Sequence, residues 1–173
     1  MAYINFDSTR LFDVIPLGRI AIDFNPVDYF KPWTECNTFK KYVGGSPANI
    51  AVGLSRLGKK VGFIGCVSDD QMGDYCVGYF DKEGIDTSHI VRARNGESLG
   101  LAFTEILDKD TSRLIMYRDN VADLKLEPAD VDESYIKAAK VLVVSGTALS
   151  ESPSREAALK AMTYARRNGT VVV

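Results

Sequence analysis

One short stretch of this sequence combines residue types that suit the binding of a polar ligand. Gly44 and Gly45 directly precede Ser46-Pro47-Ala48-Asn49, which has the pattern of a helix start. Paired glycines let a ligand approach the backbone, and a helix start presents free N–H groups and a positive dipole end. Asn49 can add a donor and an acceptor for a polyhydroxy ligand. The same residues also fit an ordinary tight turn into a capped helix, so both interpretations stay open.

A carboxylate is expected close to this stretch. Asp23 follows an apolar segment, 14–17, that we predict to be a central parallel strand. Ligand groups of α/β sheets collect beyond the carboxyl ends of such strands, where Asp23 could accept hydrogen bonds from sugar hydroxyls. We therefore expect Asp23 and Asn49 to share one cavity. The alternative is a turn aspartate paired with Arg19.

Other chemistries have less support in the sequence. His89 is the only histidine, and after Asp86-Thr87-Ser88 it reads as a structural or exposed residue of a turn. The cysteines are too few and too irregularly spaced for a disulfide framework or a zinc site, and they indicate a reduced, cytoplasmic protein; they are Cys36, Cys66 and Cys76.

A partial P-loop pattern is not taken as a phosphate site. Residues 53–59 fit its first seven positions, but Lys60 stands where Ser or Thr must hold magnesium. The two glycines also lie within and after a predicted helix instead of before one.

Composition excludes further classes. The 173 residues include 21 Lys and Arg against 23 Asp and Glu, a formal charge of -2. Without a clustered basic surplus we expect no nucleic-acid partner. No apolar run approaches the roughly 18 residues of a bilayer span, so we expect no membrane partner. Residues 1–7 lack the basic start of a secretory signal.

The elements that must position these residues follow an alternating pattern. Short apolar runs separated by helical patterns are typical of parallel strands covered on both faces. We predict strands over 14–17, 61–67, 141–145 and 170–173, and helices over 47–57, 71–83, 132–139 and 153–167. In the first helix we expect Ser46 as N-cap, Gly58 as the stop, and an inward stripe of Ile50, Leu54 and Leu57.

Two stretches depart from this rhythm. Residues 38–43, and 99–107 with 113–118, alternate apolar and polar positions and predict an antiparallel hairpin with one partner strand. Such a sheet is either a lid or an edge extension of the main sheet. We therefore expect an α/β fold with a mostly parallel sheet, helices on both faces, and a small antiparallel sheet.

Three spaced segments together resemble the N-terminal signature of the ribokinase-like (PfkB) carbohydrate kinases. They are 44–51, 57–58 and 67–73, with Ser68 where that family usually has glycine. The resemblance extends over essentially the whole chain and favours the ligand-binding interpretation of the glycine pair. It implies a ribokinase-like fold, lid segments at about 24–43 and 96–120, and an enzyme that uses ATP and Mg²⁺.

Five further segments narrow the resemblance within that family: 18–23, 41–49, 101–107, 116–124 and 144–150. They imply phosphorylation of the C6 hydroxyl of a six-carbon keto acid. The implied sugar contacts are Asp23, Gly44, Gly45 and Asn49, with Arg118 on the lid side and Arg19 and Asn120 as weaker candidates. Arg118 suits a bidentate pair with the carboxylate, although alone it would read as a surface residue. Alternatives are a 2-keto-3-deoxygluconate kinase, a fructokinase, a ribokinase, or a non-catalytic sugar-binding module.

The resemblance also implies parts that these residues do not contain. The family's catalytic aspartate lies in a Gly-Ala-Gly-Asp motif, and no segment of the sequence matches it, so we expect this aspartate beyond Val173. The apolar run that reaches Val173 likewise predicts a buried strand that needs further β-α units beside it. We therefore expect residues 1–173 to be the N-terminal part of a domain whose ATP-binding part follows, and expect this part alone not to turn over. Exposed lid edges further predict a homodimer that pairs through the lid strands.

Overall fold

The structure is a computed structural model, and it describes residues 6–173. The first five residues of the N-terminal stretch discussed above lie outside this range. In chain order the elements are β1 (Phe12–Leu17), β2 (Ala21–Pro26), β3 (Phe39–Gly44), α1 (Ser46–Arg56), β4 (Gly62–Val67), α2 (Gln71–Lys82), β5 (Asp86–Arg92), β6 (Gly100–Ile106), β7 (Ser112–Tyr117), α3 (Glu133–Lys137), β8 (Ala139–Val144), α4 (Ser154–Arg167) and β9 (Val171–Val172).

A five-stranded parallel sheet forms the centre, in the order β5-β4-β1-β8-β9. Every residue of β4 is buried, which explains its unbroken apolar sequence. Phe63 packs into a core cluster with Ala48 of α1 and Phe80 of α2, whereas its neighbour Ile64 packs into a second cluster with Ala158 of α4. Because successive strand residues point to opposite faces, these contacts place helices on both faces of the sheet, as predicted.

The last predicted strand, 170–173, forms, but it is shorter and less buried than expected. The strand β9 comprises only Val171–Val172, which are partly buried, and Val173 is 71% exposed. The backbone of Val173 still pairs with β8, because its N–H donates to the Leu142 carbonyl at 3.0 Å and its carbonyl accepts from the Val144 N–H at 2.9 Å. Among the described residues β9 is an edge strand, which explains the exposure of its apolar side chains.

The smaller sheet has four strands in the order β3-β2-β6-β7. Its outer pairs are antiparallel as expected, but the central pair of β2 and β6 is parallel. The strand β2 was not predicted, because its sequence ends in the turn-forming residues Asn25 and Pro26. This strand follows β1 after three residues, so the chain passes from the main sheet directly into the smaller one.

The strand β5 was also not predicted, and the turn expected at residues 86–88 is wrong. Asp86 pairs with Gly62 and His89 pairs with Ile64 in the main sheet. The His89 ring stacks on Tyr135 with ring centroids 3.6 Å apart, so this histidine has a structural contact. Pairing with the buried β4 outweighs the local turn preference of Asp, Thr and Ser.

The start of α1 differs from the prediction by one residue. Ser46 is the first helical residue, and Gly45 occupies the cap position without a side-chain bond. The carbonyl of Gly45 accepts the first helical hydrogen bond from the N–H of Asn49 at 2.9 Å. Gly45 has φ of 101°, a conformation that a serine would adopt only with strain, which explains the shift.

The inward stripe predicted for α1 is confirmed only at Leu54, which is partly buried and packs against the core, and it is wrong at Ile50 and Leu57. Ile50 and Leu57 are 38% and 76% exposed, whereas Ala48 and Ala51 are fully buried. The helix lies against the sheet on its small residues, which allow a close approach. The predicted stop is confirmed, because Gly58 follows the helix with φ of 76°.

None of the helices within residues 6–173 is long and apolar enough to cross a membrane.

Candidate functional site

The carboxyl end of β1 brings three elements together. Gly18 follows β1 with φ of 145°, and a β-carbon at this position would collide with the Ser145 hydroxyl and lie 3.1 Å from Pro47 Cγ. Ser145 follows β8, and Pro47 lies in the first turn of α1. The strand ends and the helix start therefore meet at the edge of the parallel sheet where ligand sites of α/β folds lie.

The two glycines before α1 make room for parts of the protein itself. A β-carbon at Gly44 would overlap the carboxyl group of Asp23, and one at Gly45 would lie 2.5 Å from the carbonyl oxygen of Arg19. Without β-carbons at these glycines, residues 19–23 lie directly against the start of α1, which places the Asp23 carboxylate beside Gly44. Contact of the glycine pair with a ligand stays a prediction.

Three of the predicted site residues line one cleft. Arg19 precedes β2, Asp23 lies within β2, and Arg118 follows β7, yet all three border one narrow cleft. Its cavity volume is about 10 Å³, which is room for about one water molecule. Its other walls come from Gly100, Ala102 and Met116, among others. The cleft thus combines two guanidinium groups with one carboxylate.

Asn49 and Asn120 do not line this cleft. Asn49 is exposed in the first turn of α1 and is not one of the residues that line the cleft beside Asp23. Asn120 is also exposed and has a left-handed φ of 47°, and its carbonyl accepts a hydrogen bond from the Ser98 N–H at 3.2 Å. Sugar contacts by these two side chains stay predictions.

The charged groups of the cleft are unusually short of partners. Asp23 is half-buried and makes no side-chain hydrogen bond with the described residues, and burial raises its pKa while the Arg19 charge opposes the rise. Arg19 forms no salt bridge within residues 6–173, and its buried Nε has no hydrogen-bond partner. Buried polar groups are normally satisfied, so these groups are available to a ligand.

Arg118 has one partner, which sequence reasoning missed. Its Nη2 donates to Asp123 Oδ2 at 2.8 Å. The Asp123 side chain is only 2% exposed, and burial raises its pKa while Arg118 and Arg19 oppose the rise. Its other oxygen, Oδ1, has no partner. The sequence offers one signal for Asp123: it is an acidic residue that follows the apolar pair Val121-Ala122 in a segment that resembles the family.

Neutralising Asp23 is expected to stabilise the protein at neutral pH. Its raised pKa means that the folded state holds the proton more tightly than the unfolded chain, so stability falls as pH rises above the ordinary value of 3.8. Asp23→Asn in the complete protein should therefore raise the melting temperature at pH 7, with the gain shrinking toward pH 3. Thermal unfolding across this range is the measurement, with the exposed Asp69→Asn as control. A lower melting temperature for Asp23→Asn at pH 7 would contradict this.

The fold and the cleft define the class of protein. A parallel sheet with helices on both faces, a smaller sheet continuing from its carboxyl edge and a charged cleft are typical of ribokinase-like sugar kinases. Residues 12–173 match the family described as pfkB family carbohydrate kinase, and the chain belongs to that family.

Solved structures agree with this assignment. A sugar kinase from Pyrococcus horikoshii in complex with ATP matches with a TM-score of 0.81 and 29% identity, covering 92% of this chain and 51% of that one. The fructokinase of Halothermothrix orenii matches with a TM-score of 0.78 and 34% identity, over 92% of this chain and 55% of that one.

Curated relatives confirm the narrower resemblance. The 5-dehydro-2-deoxygluconokinase of Clostridium perfringens is 64% identical over 173 residues, which is all of this chain and 51% of the relative. The protein of the same name from Geobacillus kaustophilus is 57% identical and is covered to 52%. The chain therefore spans about half the length of the curated relatives it matches.

Proposed function

We propose that this chain forms the sugar-binding part of a cytoplasmic kinase that phosphorylates the C6 hydroxyl of 5-dehydro-2-deoxy-D-gluconate, a step of myo-inositol catabolism. The observation that carries the proposal is that Arg19, Arg118 and Asp23 all line the same cleft. The relatives named above support the substrate. The three cysteines are free, which suits a reducing compartment.

The charges of the cleft match the functional groups of this substrate. A guanidinium binds a carboxylate through charge-assisted hydrogen bonds, and Arg118 and Arg19 both line the cleft. Asp23 has no competing partner and can accept hydrogen bonds from sugar hydroxyls. The acid end of the sugar would thus be held by the arginines, and the hydroxyl groups oriented by Asp23 and the adjacent glycine pair.

The phosphoryl donor and the catalytic aspartate are proposed to lie beyond Val173 in the complete protein. When bound, ATP with Mg²⁺ supplies the phosphoryl group and neutralises its developing charge. Within residues 6–173 no group of three His, Cys, Asp or Glu side chains could hold a metal ion. We assign to these residues the binding and orientation of the sugar acceptor.

A substrate panel on the complete gene product tests the proposal. We expect ATP-dependent phosphorylation with the highest kcat/KM for 5-dehydro-2-deoxy-D-gluconate, a lower value for 2-keto-3-deoxygluconate, and much lower values for fructose and ribose. A preference for a neutral sugar would make the protein another PfkB kinase. Sugar binding without turnover would favour a non-catalytic module.

A homodimer through the smaller sheet is proposed as well. Every residue of β7 is exposed, and β7 forms one edge of that sheet. Its exposed apolar side chains include Leu114 at 58% and Tyr117 at 62%. An exposed edge and apolar faces of this kind favour pairing with a second copy.

Light scattering at micromolar concentration tests this dimer. We expect a dimeric mass for the complete protein and a shift to monomer for Leu114→Lys, which places a charge on the exposed sheet. The control is Leu57→Lys, an exposed position beyond α1, which should stay dimeric. A monomeric mass for the unmodified protein would rule the proposal out.

A further inference from the structure

A buried carboxylate behind the cleft has no role in the binding scheme so far. Asp123 lies in the short 3-10 helix Ala122–Leu124, and its side chain is almost fully buried. It is the only hydrogen-bond partner of Arg118 within residues 6–173. Arg118 follows a strand whose residues are all exposed, and the bond to Asp123 holds one end of its long side chain.

We propose that Asp123 is a positioning residue that holds Arg118 at the cleft and thereby sets the preference for sugars that carry a carboxylate. This inference rests on the proposed function, because it assumes that Arg118 meets the acid group of the sugar.

The geometry explains how such a residue would act. Asp123 occupies only Nη2 of Arg118, and a guanidinium has five N–H donors in a fixed fork, so donors remain for a ligand. An arginine that is already held in place loses less conformational freedom on binding than a free one. Tethering Arg118 therefore strengthens binding of the carboxylate without contacting it.

The unsatisfied atoms of the site support the same conclusion. Within residues 6–173 two buried side-chain polar atoms lack a hydrogen-bond partner, Asp123 Oδ1 and Arg19 Nε. A β-carbon on Gly100, a residue that lines the cleft, would lie 3.9 Å from Asp123 Oδ1. Such atoms are rare in native proteins. Because Oδ1 has no partner among the described residues, the bond from Arg118 is the side-chain hydrogen bond that holds the Asp123 carboxylate, so the two groups position each other.

The test compares variants of Asp123 in the complete protein. Asp123→Asn keeps the shape and one acceptor but loses the charge, and Asp123→Ala removes both. We expect KM for the acid sugar to rise about tenfold for Asn and about a hundredfold for Ala, as for loss of a charged hydrogen bond. The kcat should stay within roughly threefold, because ground-state and transition-state binding are lost equally. The kcat/KM for fructose should change little.

A second buried pair provides the matched control. Asp130 holds Arg94 through both guanidinium ends, at 2.5 Å and 3.2 Å, and its side chain is 8% exposed. Because neither residue lines the cleft, Asp130→Asn should leave the ratio of acid to neutral kcat/KM unchanged. The proposal is overturned if Asp130→Asn shifts this ratio as much as Asp123→Asn does. It is also overturned if Asp123→Asn lowers kcat/KM for the acid sugar and for the neutral sugar by the same factor.

A measurement without sugar separates this proposal from the proposed function. Solvent exchange of the Arg118 guanidinium N–H protons, above all those on Nη2 that face Asp123, is followed by NMR and assigned with Arg118→Lys. It should accelerate at least several-fold in Asp123→Asn and more in Asp123→Ala. Equal exchange in the unmodified protein and in Asp123→Asn would refute the positioning role whatever the substrate. If exchange is slower in the unmodified protein than in Asp123→Asn, but the unmodified protein shows no preference for acid sugars, the proposed function and the specificity role are both refuted. If Asp123→Ala fails to fold, the Asn variant carries the test.

Discussion

Replacing Arg118 by alanine is expected to lower kcat/KM for the acid sugar by about a hundredfold to a thousandfold, because charge-assisted bidentate pairs are among the strongest hydrogen bonds. The value for fructose should change by less than about threefold, since a neutral sugar offers no carboxylate to Arg118. The preference for acids would thus disappear. Steady-state kinetics of the complete protein with both sugars measures the effect.

The control for this variant lies in β7, the strand that precedes Arg118. Arg113 is 72% exposed in its side chain, pairs only with Glu105 at 3.8 Å and does not line the cleft, so Arg113→Ala should leave both kinetic values unchanged. Arg118→Ala also leaves Asp123 without its salt-bridge partner, so some loss of melting temperature is expected. An equal fall for acid and neutral sugars would show that Arg118 acts only through the fold.

Replacing Gly44 by alanine is expected to remove most of the activity while leaving the fold intact. The added methyl group would occupy the place of the Asp23 carboxyl, which must rotate away. Misplacing a substrate-orienting group by about 1 Å can cost roughly a hundredfold in rate, so we expect at least that loss in kcat/KM. The half-buried Asp23 side chain makes no hydrogen bond with the described residues, so its rotation breaks none and the melting temperature should change little.

Two companion variants make this expectation specific. Gly53 lies within α1 with nothing within 4 Å of an added β-carbon, so Gly53→Ala should keep full activity and gain about 1 kcal/mol of stability. In an Asp23→Ala background, Gly44→Ala should have almost no further effect, because the group it displaces is gone. A full additional loss in that background would mean that Gly44 acts independently of Asp23.

The parts of the fold that were predictable are those specified by local pattern. The buried β4 and the helix ending at Gly58 carry continuous apolar residues or a left-handed glycine, and both were confirmed. The strands β2 and β5 were missed because their sequences contain turn residues and become strands only by pairing with distant neighbours. The buried face of α1 was missed for a similar reason. The helix buries short side chains because it lies close to the sheet, and this distance is set by tertiary packing.

The site was predictable only in part for a related reason. The family resemblance identified Asp23 and Arg118, and the structure places both at one cleft. Asp123 was overlooked because its contact with Arg118 depends on the path of the chain after β7, which no periodicity describes. Asn49 was expected at the same cavity, but its position on α1 does not bring it to the walls of this cleft.

A crystal structure of the complete protein with bound 5-dehydro-2-deoxy-D-gluconate would test the central claim most directly. We expect the carboxylate of the sugar within hydrogen-bonding distance of both Arg118 and Arg19. Hydroxyl groups of the sugar should donate hydrogen bonds to Asp23. The bond between Arg118 and Asp123 should persist. A sugar bound in the opposite orientation, with its carboxylate away from both arginines, or bound outside this cleft, would contradict the account.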